Sequence, residues 1–153
     1  MMKKILLYGG LALLALIVLV QLVPYGRNHR NPAVVKAAAW DSPQTQQLAQ
    51  RACYDCHSNE TKWPWYTNVA PFSWLIQHDV DEGRSRLNFS ECGVPRQGGE
   101  EGGEGSESFG ESAEVVLEGE MPPRQYTLIH GEARLTDAER QALAQGIMNS
   151  TCQ

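Results

Sequence analysis

The chain has 153 residues, 42% of them apolar, with 13 Lys plus Arg against 18 Asp plus Glu; its length suits one domain and its net charge is −5. With no overall basic field to neutralise phosphates, nucleic acid is excluded as the expected partner. The acidity is local: eight Glu and no Lys or Arg fall between Glu100 and Glu120, leaving 13 basic against ten acidic residues elsewhere.

Residues 1–4 carry Lys3 and Lys4, and Ile5 to Val23 then run for 19 positions without a charge. As a helix this stretch is about 28 Å long, close to the hydrocarbon thickness of a bilayer, and it predicts a transmembrane anchor over 5–23. A cleaved secretory signal competes, but its apolar core is roughly 7 to 15 residues and ends in a small-x-small site. Val20-Gln21-Leu22-Val23 offers no such site. Flanking charge does not orient the helix, because Lys3 and Lys4 are matched by Arg27, Arg30 and Lys36 beyond it. Residues 24–41 show no sustained apolar period and read as a flexible tether with a span of roughly 20–25 Å.

The remaining region, 42–150, is expected to be the functional domain. Ser42 and Pro43 suit the N-cap and first position of a helix with Leu48, Ala49 and Ala52 on its apolar side. That helix delivers Cys53-Tyr54-Asp55-Cys56-His57. Two thiols one turn apart suit covalent attachment to the two vinyl groups of one haem, with the adjacent imidazole beneath the iron as proximal ligand. The reading is therefore one covalent haem c on Cys53 and Cys56, with His57 as metal ligand.

Three other chemistries compete. A thioredoxin-like pair calls for a strand before the first Cys, whereas the preceding residues are Gln-rich and helical in pattern. A zinc site calls for two further closely spaced ligands, and Cys92 and Cys152 stand alone. A disulfide between Cys53 and Cys56 leaves His57 without a role.

Candidates for the opposite axial position are Met121, Met148, His29, His78 and His130. Met121 sits in Glu118-Gly119-Glu120-Met121-Pro122-Pro123, where the prolines make a stiff loop able to hold a thioether against iron. A Met filling a core gap is the plainer reading. Met121 is taken as the distal ligand and His130 as the alternative. His78 falls in a helical stretch from Ser73 to Gly83, His29 lies in the tether and Met148 near the end of the chain. Thr136 with Glu139 forms a capping-box signature before Ala138, Ala142, Leu143 and Ile147. A haem-bearing helix, a Met-Pro loop and a closing helix predict an all-α fold, a small cytochrome c-like haem domain behind an N-terminal transmembrane helix.

The run from Arg51 to Phe89 resembles the bacterial haem-binding domain family, in which Cys-x-x-Cys-His is followed by a Trp-Pro-Trp-Tyr block. Here these are Cys53 to His57 and Trp63-Pro64-Trp65-Tyr66, then Ala70-Pro71, Trp74-Leu75-Ile76, Asp79 to Gly83 and Leu87-Asn88-Phe89-Ser90. The likeness resumes at Gly119-Glu120-Met121-Pro122 and continues through Tyr126-Thr127-Leu128 and His130 to Leu143. It implies a short, membrane-tethered relative of monohaem cytochrome c. Trp63, Trp65 and Tyr66 are core by default, yet haem is itself much of the core in so small a domain, which makes them candidate haem-pocket walls.

The sequence departs from the family between Ser90 and Glu114, with an acidic Gly-rich loop over 97–111 in place of a charged amphipathic helix. Six glycines within Gly98 to Gly110 disfavour a helix, at about 1 kcal/mol each, so the helix before the Met loop is expected to be confined to Ser112–Glu118 or absent. Cys92 and Cys152 are an even remainder; in an oxidising compartment they could join. The acidic loop is read either as a solvated loop or as a patch steering a basic redox partner.

Resemblance to c-type cytochromes implies haem attachment outside the cytoplasmic membrane. The N-terminus is then inside and the haem domain periplasmic or otherwise extracytoplasmic. With His57 and Met121 both bound, the expected function is one-electron transfer with redox proteins as partners. A haem-based sensor or peroxidase-like enzyme with an open or labile distal position is the alternative, and a haem-free interaction module a third.

Overall fold

The computed structural model describes residues 2–94 and 105–152. Among them are seven α-helices, two short 3-10 helices and no strand, so the fold is all-α as expected. The chain divides into two compact units, Met1–Arg30 with Trp63–Asp79, and Asn31–Lys62 with Val80–Gln153.

In the first unit, α1 (Met2–Val20) buries no side chain and is the one described helix long and apolar enough to cross a membrane. It stops before the apolar run does, because the Gln21 side chain turns to Ala70: its Nε2 donates to the Ala70 carbonyl at 2.9 Å and its Oε1 accepts from the Ala70 N–H at 3.0 Å. The chain then turns at Gly26 (φ +78), where a Cβ would overlap the Ser73 carbonyl. His29 follows, stacked on Trp63 at 4.9 Å with its Nε2 2.8 Å from Thr67 Oγ1. Residues 24–30 are therefore folded onto the segment 63–79, with specific partners where composition suggests free coil.

The second unit holds α2 (Pro43–Ala52), α3 (Tyr54–His57), the end of α4 (Phe72–Arg86), α5 (Gly105–Glu118), α6 (Arg124–Ile129) and α7 (Asp137–Asn149). Ser42 caps α2 by accepting from the Thr45 N–H at 3.2 Å. Thr136 and Glu139 close the expected capping box on α7, their side chains each accepting from the other's backbone N–H. The core joins Leu48, Ala49 and Tyr54 to Phe89, Phe109, Val116, Leu143 and Ile147. Helix α5 packs along α7. Gly146 lets α7 approach α2, since a Cβ there would run into the Thr45 side chain.

Two expectations change. Helix α5 begins at Gly105, well before Ser112. Phe109, Ala113 and Val116, at helical spacing, are all buried; burying the Phe ring alone is worth roughly 1.5–3 kcal/mol, which offsets about 1 kcal/mol for Gly110 inside the helix. The rest of the proposed loop, 97–104, lies outside the described residues. The second half of the tether is also engaged: Val35 and Lys36 donate to the Ser90 carbonyl, Ala38 donates to Phe89, and Ala39 pairs in both directions with Thr151. Cys92 and Cys152 form a disulfide, with Cα atoms 5.2 Å apart.

Candidate functional site

Helix α2 ends at Cys53, whose N–H reaches the Ala49 carbonyl at 2.8 Å while its φ of −125 breaks the helix. The chain turns at once into α3, with Cys56 and His57 both donating to the Cys53 carbonyl, at 3.2 and 2.9 Å. Cys53, Cys56 and His57 are thus gathered on one turn. Neither cysteine is in a disulfide. Burial pushes the Cys53 thiol up to about 12, and neighbouring Cys56 adds to the shift, so the group stays protonated at neutral pH. Reactive redox thiols have the opposite electrostatics. Among the described residues no three His, Cys, Asp or Glu side chains cluster to hold a metal ion by themselves.

His57 is oriented from the segment after α4. Its Nδ1 lies 3.2 Å from the Leu87 carbonyl oxygen. A carbonyl only accepts, so Nδ1 carries the proton and Nε2 the lone pair, the tautomer of a metal-ligating imidazole held by an outer partner. The His57 carbonyl in turn accepts from the Phe89 N–H at 2.8 Å. Between these two contacts, buried Asn88 donates to Asn59 Oδ1 and accepts from the Ser90 N–H, both at 2.9 Å. Asn59 returns its backbone N–H to Ser90 Oγ at 3.0 Å and its amide to Glu91 at 2.8 Å. Arg84 adds Nε to the Ser58 carbonyl at 2.8 Å. Helix α4 can reach the turn because residue 83 is glycine; a Cβ there would lie 2.6 Å from the Cys56 carbonyl oxygen. Reading for ligand types alone misses Asn59, Gly83, Leu87 and Asn88. The available signal is a buried-type aromatic, Phe89, set between two residues with short polar side chains.

Met121 is half-buried against the same apolar core that Cys53 packs on. Its backbone is held by the end of α5: Gly119 turns with φ +80, and both Glu120 and Met121 donate to the Val115 carbonyl. Arg140 of α7 donates to the carbonyls of Val116 at 2.8 Å and Met121 at 3.2 Å. His130 is tied to the motif by another route. It stacks on Tyr126 at 4.3 Å, and Tyr126 donates its hydroxyl at 2.7 Å to Asp55, inside the Cys-x-x-Cys span. Burial first, then the Asp55 carboxylate, raises the Tyr126 pKa and keeps it a donor. His130 also has its Nδ1 3.3 Å from Glu132.

The aromatic neighbour of His57 is Phe89, at 6.5 Å between centroids, backed by Trp40, Tyr54 and Phe109. Trp63, Trp65 and Tyr66 belong to the first unit, where Trp65 meets Tyr66 edge-on and is largely exposed. Met148 is exposed, and His78 is exposed on α4 within the first unit.

A family model described as a haem-binding domain matches residues 15–149. The chain belongs to the haem-binding domain family. No curated protein and no solved structure matches it. For a member of this family, Cys53 and Cys56, neither in a disulfide, and the His57 imidazole on the same turn form a donor set that fits haem. Cys53 and Cys56 suit its edge, His57 one axial position, and the Phe89 ring and its neighbours an apolar surround.

Proposed function

We propose that this haem-binding domain protein is a membrane-anchored monohaem c-type cytochrome that carries single electrons between redox proteins. The observation that carries the reading is the His57 Nδ1 contact to the Leu87 carbonyl, on the same turn as Cys53 and Cys56, neither of them in a disulfide. Cys53 and Cys56 would hold the haem as thioethers, each formed by adding S–H across a vinyl double bond, an addition that would need no external oxidant. His57 Nε2 would hold the iron on one side and Met121 on the other, with His130 as the alternative to Met121. Bound iron supplies the ferric–ferrous couple. With His57 and Met121 both holding the iron, no position would be left open for a substrate, the condition of an electron carrier.

Helix α1 is the anchor, with its N-terminus inside and the haem unit outside the cytoplasmic membrane. The Cys92–Cys152 disulfide supports an oxidising compartment.

The test is the full chain produced in cells competent for cytochrome c maturation. Haem is expected to survive acidified-acetone extraction, and to be lost to it when Cys53 and Cys56 are both replaced by Ser. The ferric protein is expected to be low-spin with a sulfur-to-iron charge-transfer band that disappears in Met121→Ala and persists in His130→Ala. A band pattern sensitive to His130→Ala alone moves the distal assignment to His130. A high-spin ferric spectrum unchanged by either variant overturns the carrier reading in favour of an open distal site.

A further inference from the structure

We propose that Trp65, Val69, Phe72 and Leu75 form a shelf that rests in the headgroup region of the membrane; the inference relies on the reading of α1 as an anchor. All four side chains are solvent-exposed, at 78%, 40%, 50% and 53%. They lie in the same unit as α1 and are fixed to its end. Gln21, the first residue past the helix, grips Ala70 through both ends of its amide, and Gly26 packs on Ser73. Where α1 leaves the hydrocarbon, the segment 65–75 is therefore at the same depth.

The helix start presents a suitable face. Phe72 and Leu75, three apart on α4, share one side, whereas Ser73 is buried and Gln77 meets Gly26 on the other. Exposed Leu22, Val23 and Tyr25 continue the apolar surface from α1 toward the shelf. An apolar patch of this kind facing water marks an interaction site. Its unbroken connection to the lipid-facing helix selects lipid as the occupant. Charge agrees: on the shelf's side of α1 the unit has Arg27 and Arg30, and its single carboxylate is Asp79. Aromatic side chains favour the bilayer interface, and a segment lying there gains from burial of its apolar face and from attraction to anionic headgroups.

The experiment uses the full chain in vesicles of phosphatidylcholine and phosphatidylglycerol, with p-benzoylphenylalanine placed at Trp65 or, separately, at Phe72. Both sites are exposed, so neither substitution removes core packing. Irradiation is expected to yield phospholipid adducts at both positions, several-fold above those of the same variants in lipid-free detergent. Alkaline carbonate extraction of the same vesicles reports on α1 independently. Carbonate-resistant protein without lipid adducts overturns the shelf and leaves the anchor standing. Release by carbonate overturns the anchor and the shelf with it. Crosslinks to a second copy of the chain in place of lipid overturn the lipid assignment in favour of self-association.

Discussion

His57 is fixed to the segment Leu87–Phe89 at two points: the imidazole Nδ1 lies 3.2 Å from the Leu87 carbonyl, and the His57 carbonyl accepts from Phe89, two residues further along. The buried Asn88 between them is locked to Asn59. Asn88→Ala leaves Asn59 Oδ1 without that donor in a dry setting and should cost about 1–3 kcal/mol in denaturant unfolding. Loosening the Leu87 carbonyl weakens the hydrogen bond to Nδ1 and makes the imidazole a poorer donor to iron. The reduction potential of the haem-loaded variant is therefore expected to rise. An unchanged potential with lowered stability limits Asn88 to holding the fold.

Two glycines separate close packing from helix propensity. Gly83→Ala places a methyl group 2.6 Å from the Cys56 carbonyl oxygen, against backbone that cannot rotate away. It should destabilise the protein by about 1–3 kcal/mol and lower the yield of covalently retained haem. A methyl group at Gly110, inside α5, would meet no atom within 4 Å, so Gly110→Ala should stabilise by up to about 1 kcal/mol. Denaturant titrations of both variants, with haem-stained gels for the first, check the pair.

The Cys92–Cys152 disulfide spans a sequence separation of 60. Closing such a loop restricts the unfolded chain by about 4 kcal/mol in the chain-entropy account. Cys152→Ser should lower the melting temperature, and reductant should lower that of the wild type while leaving the variant unchanged. Equal melting with and without reductant in the wild type contradicts this.

Glu139 is expected to give the protein an acid-sensitive contribution. Its carboxylate accepts from the Thr136 N–H at 2.9 Å and from Arg51 at 2.7 Å. These contacts, the backbone bond foremost, pull its pKa down to about 2 from an ordinary value of 4.5. A carboxyl with a depressed folded-state pKa stabilises fully above its unfolded value and loses that contribution as pH falls through the folded one. Wild type should therefore exceed Glu139→Gln in melting temperature at pH 6, with the gap closing between about pH 4.5 and 2. The side chain is partly exposed, so the difference is small and shrinks in salt.

Contiguous patterns are the legible part of this sequence. Ser42-Pro43 and Thr136-x-x-Glu139 specify helix starts through bonds made within four residues, and Cys53 to His57 places its groups by one helical turn. Met121 stands out by its prolines, although its backbone is held by Val115 and by Arg140 of a later helix. Contributions that depend on distant partners are hidden. Trp40 stands in a stretch without apolar period, yet its indole donates to the Tyr54 hydroxyl at 3.1 Å and its ring packs on Phe89. Glycine content conceals α5, whose helicity comes from the burial of Phe109 rather than from local preference. His57's outer partner is a main-chain carbonyl, a group every residue carries, so composition does not point to Leu87.

The pairing of Ala39 with Thr151 and of Cys92 with Cys152 sets an order of events during biogenesis. Exported N-terminus first, as the proposed function requires, the chain would present Cys53 to His57 well before residues 151 and 152 arrive to close the second unit. For that interval the thiols would lie in a partly assembled domain, open to haem delivery. Late closure by residues beyond α7 thus gives cofactor insertion a time window that a domain completed within its first hundred residues would lack.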